Sequence, residues 1–390
     1  VIRTIIGFST IAVAILVALH FYAWKRLVRD VRMPKTWHRI ATVVVVLLAL
    51  ILPAVFVFGR RVAQIRETEA AYFAFFWLGL LFYLFLLLGA IDLVRLVVLR
   101  GVARKQTFDP ERRLFLARAA AGTAVVGSGA IAALGYRAAG EIETPEIEVP
   151  LPNLPRELSG FRIAQLSDLH LGPISRKRFL ESVVEKTNAL RPDLVVITGD
   201  LVDASVARLG KSLAPLAKLS PRAGVAFVTG NHEYYSGAEE WVAFLRSRGI
   251  RVLMNERVAV GDEHPGGPTF DLAGIPDRGG ARLGADHRQD AGRALEGRDP
   301  GRAVVMLAHQ PRDIALVNGR GVGLQLSGHT HGGQLWPFGA LVSLYQPWIA
   351  GLHKADDGTR IYVSRGTGFW GPPMRVGNPA EIASIVLTPA

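Results

Sequence analysis

Three long apolar runs with no charge at their centres constrain this chain more than any other feature. They are residues 4–24 (TIIGFSTIAVAILVALHFYAW), 40–58 (IATVVVVLLALILPAVFVF) and 70–91 (AAYFAFFWLGLLFYLFLLLGAI). Each approaches or exceeds the ~20 residues that an α-helix needs to cross a hydrocarbon core. Three in succession predict membrane helices rather than buried helices of a soluble fold. Pro53 falls inside the second run, where a membrane helix tolerates a kink.

A fourth segment, 114–135, is rich in Ala and Gly and follows the stretch ERRLFLAR. Arg112 and Arg113 with Phe115 and Leu116 fit two readings, an internal twin-arginine export signal or the basic flank of a fourth membrane helix. Both put the segment across the membrane.

The flanking charges give an orientation. Lys25, Arg26, Arg29, Arg32, Lys35 and Arg39 lie between the first two runs, and Arg100, Arg104, Lys105, Arg112 and Arg113 between the third and fourth. The middle loop sets Arg60, Arg61 and Arg66 against Glu67 and Glu69, and Glu141, Glu143, Glu146 and Glu148 follow the fourth segment. The positive-inside rule then predicts a multi-pass protein of the cytoplasmic (inner) membrane with everything after residue 140 outside the cytoplasm. Of the formal net charge of +12, +8 falls in residues 1–150, with 18 Lys and Arg against 10 Asp and Glu. Juxtamembrane charge explains that excess, and nucleic acid is not an expected partner. Asp92 and Arg95 stand where they can pair, but charge is otherwise absent from the runs, so a transporter's polar pathway has no support.

The chain divides near residue 145. Residues 141–157 (EIETPEIEVPLPNLPRE) hold four prolines and read as a linker running into an edge strand. The expected organisation is a membrane region over 1–140, this linker, and a second domain over 158–390. In that domain short β-branched runs alternate with amphipathic ones. Strands are expected at 161–168, 193–200, 224–231, 269–273, 303–310, 323–330 and 360–366, and helices at 176–190, 205–219 (with Pro215 as a possible break) and 237–248. This alternation predicts a layered α/β fold. Residues 261–300 are expected to be a surface insertion around the strand at 269–273.

Several of these strands end in polar motifs, and ligands of α/β sheets bind at the carboxyl ends of strands. The residues so collected are Asp168, His170, Asp200, Asp203, Asn231, His232, His309, His329 and His331. Imidazoles, carboxylates and an amide suit Zn, Mn or Fe. The chain has no cysteine, which excludes a disulfide scaffold, a thiolate zinc site and a thiol nucleophile. At strand spacing, Asp168 and His170 point to one side, as do His329 and His331.

The ordered motifs SDLH (167–170), GDLVD (199–203), GNHE (230–233), AHQP (308–311) and GHTH (328–331) resemble those of the calcineurin-like metallophosphoesterases. The features of 332–338 and 364–382 resemble a bacterial, membrane-bound or exported branch. The resemblance implies an α-β-β-α sandwich and two divalent metal ions. One ion would be held by Asp168, His170 and His331, the other by Asn231, His309 and His329, with Asp200 bridging and a hydroxide between them attacking phosphorus. His232 would assist the leaving oxygen and Asp203 would orient it; the alternative for Asp203 is a helix N-cap. Arg375 is expected to meet a substrate phosphate, and Trp336, Phe369 and Trp370 to line an interfacial pocket or pack in the core. Ala204 and Ser205 stand where protein phosphatases of the superfamily carry Arg-Gly, which argues against a phosphoprotein substrate. The implied activity is hydrolysis of a phosphodiester or pyrophosphate, in a lipid-linked or cell-envelope substrate. The alternatives are a UDP-diacylglucosamine pyrophosphohydrolase acting on the cytoplasmic side and a non-catalytic sensor that keeps the fold.

Overall fold

The computed structural model describes residues 2–61, 69–102, 109–172, 177–261, 264 and 266–390. Arg66, Glu67, Arg104 and Lys105 of the charge pattern, residue 176 of an expected helix, and 262, 263 and 265 of the expected insertion lie outside them. Two compact units are present, Val1–Arg137 with Gly371–Met374, and Ala138–Trp370 with Arg375–Ala390.

The first unit contains α1 (Ile2–Trp24), α2 (Lys35–Arg61), α3 (Glu69–Val102) and α4 (Pro110–Ala138). All four are long and apolar enough to cross a membrane. The fourth segment is therefore a helix of the same class as the other three. Its buried residues are Ala121, Ala124, Ser128, Ala132 and Gly135, a stripe of small side chains at helical spacing. Small residues let helix backbones approach closely where water supplies no hydrophobic drive. Asp92 pairs with Arg26 and accepts from the Tyr22 hydroxyl (2.8 Å), so its partner is Arg26 on the segment after α1 and not Arg95.

In the second unit the strands are β1 (Ile142–Glu143), β2 (Glu146–Leu151), β3 (Phe161–Leu166), β4 (Leu194–Ile197), β5 (Val225–Phe227), β6 (Arg251–Val252), β7 (Glu256–Gly261) and β8 (Thr269–Gly274). After these come β9 (Val304–Leu307), β10 (Leu324–Ser327), β11 (Gly351–Lys354), β12 (Arg360–Val363), β13 (Ala380–Glu381) and β14 (Ala383–Pro389). Two six-stranded sheets form, in the orders β2-β14-β3-β4-β5-β6 and β11-β12-β10-β9-β8-β7. Leu194 and Val196 of β4 face the second sheet and pack with Phe270, Leu272, Val305 and Leu326. Val195 and Ile197 point the other way, among Leu180, Val183, Trp241 and Leu245 of the helices α5 (Lys177–Ala189) and, past the short α6 (Val206–Leu209) and α7 (Asn231–Ser236), α8 (Ala238–Ser247). On the far face of the second sheet, Val304, Met306 and Ile361 meet Ala291, Ala294 and Val317. Strands buried on both faces need continuous apolar runs, and LVVI and VVML supply them. The result is the α-β-β-α sandwich.

Residues 141–157 run into the expected edge strand: β1 pairs with β13, and β2, at the sheet edge, pairs in parallel with β14 along six residues. The alternating EIEVPL forms the sheet edge, and its one proline, Pro150, is tolerated because an edge strand has one unpaired side. One expectation changes: the strand expected at 269–273 is not part of a surface insertion. β8 lies between β7 and β9 with Phe270 and Leu272 fully buried.

Candidate metal centre

β3, β4 and β5 run parallel in one sheet, and β9 and β10 run parallel in the other. Their carboxyl ends therefore gather the five polar motifs at one edge of the sandwich. The two sheets are tied there by Gln165 of β3, whose side-chain amide donates to the Ser327 carbonyl of β10 (2.9 Å).

The motif residues lie just beyond the strands, and the local backbone decides where they point. Asp168, His170, Asp200, His329 and His331 all have positive φ, between 46° and 71°. Side-chain-bearing residues rarely adopt this region, and its clustering marks a strained, over-determined site. Strand spacing is thus not what aims these side chains. His329 and His331 turn to different ligand groups, Asp200–His309–His329 and Asp168–His170–His331. Close approach of the loops demands glycine: a Cβ on Gly328 would lie 1.9 Å from Ser167 Oγ, and one on Gly230 2.2 Å from Asp200 Oδ1.

Within the groups, His170 Nε2 is 3.0 Å from His331 Nε2, and His331 Nε2 is 3.5 Å from Asp168 Oδ1. His309 Nε2 lies 3.2 Å from Asp200 Oδ2, 3.2 Å from Asn231 Oδ1 and 3.1 Å from His329 Nδ1. Ligands about 2.1 Å from one ion lie about 3.0–3.4 Å apart at octahedral or tetrahedral angles, so these donor atoms fit a shared cation. Other contacts fix the rings. His309 Nδ1 meets the Thr198 carbonyl (2.8 Å), which turns Nε2 to the centre. The His329 backbone N–H donates to both Asp168 oxygens, each at 3.0 Å.

Electrostatics follow from burial and proximity. Burial and the neighbouring His309 push His329 down to about 3, and burial with His170 nearby holds His331 well below the usual imidazole range. Both are thereby kept neutral, whereas the Asp200 carboxylate raises His309 well above the usual imidazole range, so a cation there must displace a proton. Burial would lower His232, but the Asp200 and Asp203 carboxylates outweigh it and raise it to about 9. Burial would raise Asp203, yet His170 and His232 hold it well below the usual carboxylate range. Asp203 Oδ1 meets both His170 Nδ1 and His232 Nδ1. It is not a helix N-cap, since Ser205 stands at that position before α6.

Arg375 is not placed for a substrate phosphate. It is 1% exposed, and its guanidinium donates to the carbonyls of Gly366, Gly368, His331 and Asn378. It also lies 3.5 Å from His331 Nδ1, so it props a candidate ligand from behind. Trp336 and Trp370 are exposed and Phe369 is half-buried, which leaves core packing unable to account for them.

Sequence reasoning missed Glu233. Its buried carboxylate accepts from the backbone N–H groups of Asp200, Leu201, Val202 and Gly230, and so clamps two ligand loops together. Burial and the Asp200 charge push it up to about 7. A glutamate three residues into a helix start is a capping signal, and that signal was available in GNHE.

Residues 161–333 match the family described as Calcineurin-like phosphoesterase. An uncharacterized metallophosphoesterase of Campylobacter jejuni is 32% identical over 381 residues, covering 97% of this chain and 98% of that protein. A transmembrane protein with metallophosphoesterase domain from Danio rerio is 41% identical over 249 residues, covering 63% of this chain and 57% of its own length. Its Bos taurus counterpart is 37% identical over 319 residues, covering 80% of this chain and 71% of that one. With its motifs gathered at one sheet edge and its four apolar helices, this chain belongs to the calcineurin-like metallophosphoesterases, as a membrane protein with a metal-dependent phosphoesterase domain.

Proposed function

We propose that the protein is a dimetal phosphohydrolase, anchored in the inner membrane, that cleaves a phosphodiester or pyrophosphate of a lipid or cell-envelope substrate on the extracytoplasmic side. One observation carries the chemistry. Asp200 Oδ2 lies 3.2 Å from His309 Nε2 and 3.8 Å from His170 Nε2, so a single carboxylate oxygen is common to both ligand groups. Asp168, His170 and His331 would hold one ion, and Asn231, His309 and His329 the other, with Asp200 on both. The donor set, without sulfur, fits Mn, Zn or Fe. Two such ions supply Lewis acidity that lowers the pKa of water and offsets charge on phosphoryl oxygens.

The chain's own residues do the rest. Asp203 engages Nδ1 of His232, which leaves Nε2 to carry a proton to the leaving oxygen. The Asp200 and Asp203 carboxylates raise the proton affinity of His232, which suits it to the role of the acid. The extracytoplasmic placement is supported by the basic residues Lys25 to Arg39 and Arg112 to Arg113 on the loops assigned to the cytoplasm.

The test uses the full-length protein in detergent, stripped of metal and reloaded with Mn, Zn or Fe. Hydrolysis of aryl phosphodiesters and monoesters is measured beside Asp200→Asn and His232→Ala. Metal-dependent diesterase activity is expected, with metal uptake impaired in Asp200→Asn. His232→Ala is expected to bind metal normally and lose about 10²–10⁴ in kcat. Wild-type protein that takes up no metal would overturn the reading. A C-terminal alkaline phosphatase fusion checks the side. An inactive fusion beside an active cytoplasmic reporter would favour the pyrophosphohydrolase alternative.

A further inference from the structure

The segment after the GHTH motif carries a feature that the chemistry of the centre does not use. Residues 332–352, GGQLWPFGALVSLYQPWIAGL, contain no charged side chain, in a domain whose residues 151–390 hold 27 basic and 23 acidic ones. A run of this length and polarity ordinarily spans a membrane or fills a core. Here most of it folds as loop around one helical turn, Gly339–Val342, before β11 begins at Gly351. Trp336 is 67% exposed, Leu341 55%, Leu344 72% and Tyr345 75%. With Phe338, these are five of the nine exposed large apolar residues among the described residues between 138 and 390, packed into ten positions. Scattered exposed apolar residues need no explanation, but a contiguous group marks an interaction surface.

The base of the loop is fixed. Thr330 Oγ1 donates to the Ile349 carbonyl (2.7 Å), the Gln346 side chain accepts from the Arg312 backbone (3.2 Å), and Gln334 exchanges hydrogen bonds with the backbone of Trp370. The apolar tip is thus presented from a rigid root that begins at the candidate ligand His331.

We infer that the tip, residues 336–345, docks on the surface of a lipid bilayer. Three observations choose lipid over a protein partner. The tip pairs Trp and Tyr with Leu, the side chains that settle at the headgroup–acyl boundary. It lacks any charge that would pair with a protein surface or resist entry into that boundary. By connectivity, only residues 139–141 separate α4, a helix fit to cross a membrane, from β1 of the domain. Such a span extends about 10 Å at most, so the domain is tethered close to a bilayer. A docked tip brings phosphoesters at the membrane surface to the loop that carries His329 and His331. The docking does not depend on the dimetal reading.

Because the chain has no cysteine, a single substitution gives a unique label site. Full-length Leu344→Cys carrying an environment-sensitive fluorophore is placed in nanodiscs of phosphatidylethanolamine and phosphatidylglycerol with spin-labelled lipid. Ser247→Cys, exposed at the end of α8, is the reference, and Tyr345→Cys is a second tip site should the first label perturb the loop. Tip labels are expected to shift to the blue and to be quenched severalfold more strongly than the reference. Quenching equal to the reference overturns the proposal. A blue shift without lipid quenching also overturns it, since protein then covers the tip. No turnover is needed, so failure here leaves the dimetal reading standing, and an inactive enzyme leaves this test readable.

Discussion

His232 and His170 share one acceptor, with Nδ1 of His232 2.6 Å and Nδ1 of His170 2.9 Å from the same Oδ1 of Asp203. A single oxygen thus orients both a candidate metal ligand and the candidate acid. Asp203→Asn keeps the volume and removes the charge. Loss of such an outer partner typically costs 10–100-fold in metal affinity or activity, and a kcat loss of about that size is expected here.

The same pair fixes a pH signature. In the proposed mechanism His232 acts when protonated, so activity falls as pH rises through its pKa. Asp200 and Asp203 raise that value. Removing the Asp203 charge must move the basic limb of the kcat profile to lower pH. A merely structural Asp203 would lower the plateau and leave the limb in place.

Gly328 predicts a steric failure. A methyl group there would lie 1.9 Å from Ser167 Oγ and 2.2 Å from Asp168 Oδ2, so the loop before His329 must retreat from a candidate ligand. Gly328→Ala is expected to cost about 1–3 kcal/mol, the usual price of overpacking, and to bind clearly less metal. Metal content and thermal unfolding, measured together, check it. Wild-type metal content would contradict the described loop contact.

Much of this was legible in the sequence because the chemistry sits at chain positions with strong local signals. Asp168, Asp200, Asn231, His309 and His329 each follow an apolar strand, and parallel strands bring such ends together without further information. The shared side of Asp168 and His170 was legible, but that of His329 and His331 was not: the two turn to different ligand groups, and residue spacing carries no record of it. The strand β8 was read as part of an insertion because the Gly- and Asp-rich sequence around it hides how deeply Phe270 is buried. Arg375 illustrates a general limit: a guanidinium suits a phosphate and a cluster of carbonyls equally, and only burial separates them.

Glu233 offers a stability test away from the reacting atoms. Its two oxygens accept from four backbone N–H groups of the loops at 200–202 and 230. Glu233→Gln turns one acceptor into a donor that faces N–H groups and leaves buried donors unpaired. Each costs about 1–3 kcal/mol. A lower thermal midpoint is expected, together with weakened metal binding, because both loops carry candidate ligands. An unchanged midpoint would show that the clamp contributes nothing.

Arg375 separates support from substrate contact most directly. Its guanidinium satisfies carbonyls at Gly366, Gly368, His331 and Asn378, and truncation strands them in a buried site. Arg375→Ala should therefore destabilise the domain by about 2–4 kcal/mol, by the cost of unpaired buried polar groups. Arg375→Lys retains the charge but not the planar fork, and should recover only part of that loss. If the residue is a prop, the folded fraction of the Lys variant keeps the wild-type KM for an aryl phosphodiester and loses stability. A raised KM at unchanged stability would instead return Arg375 to the substrate.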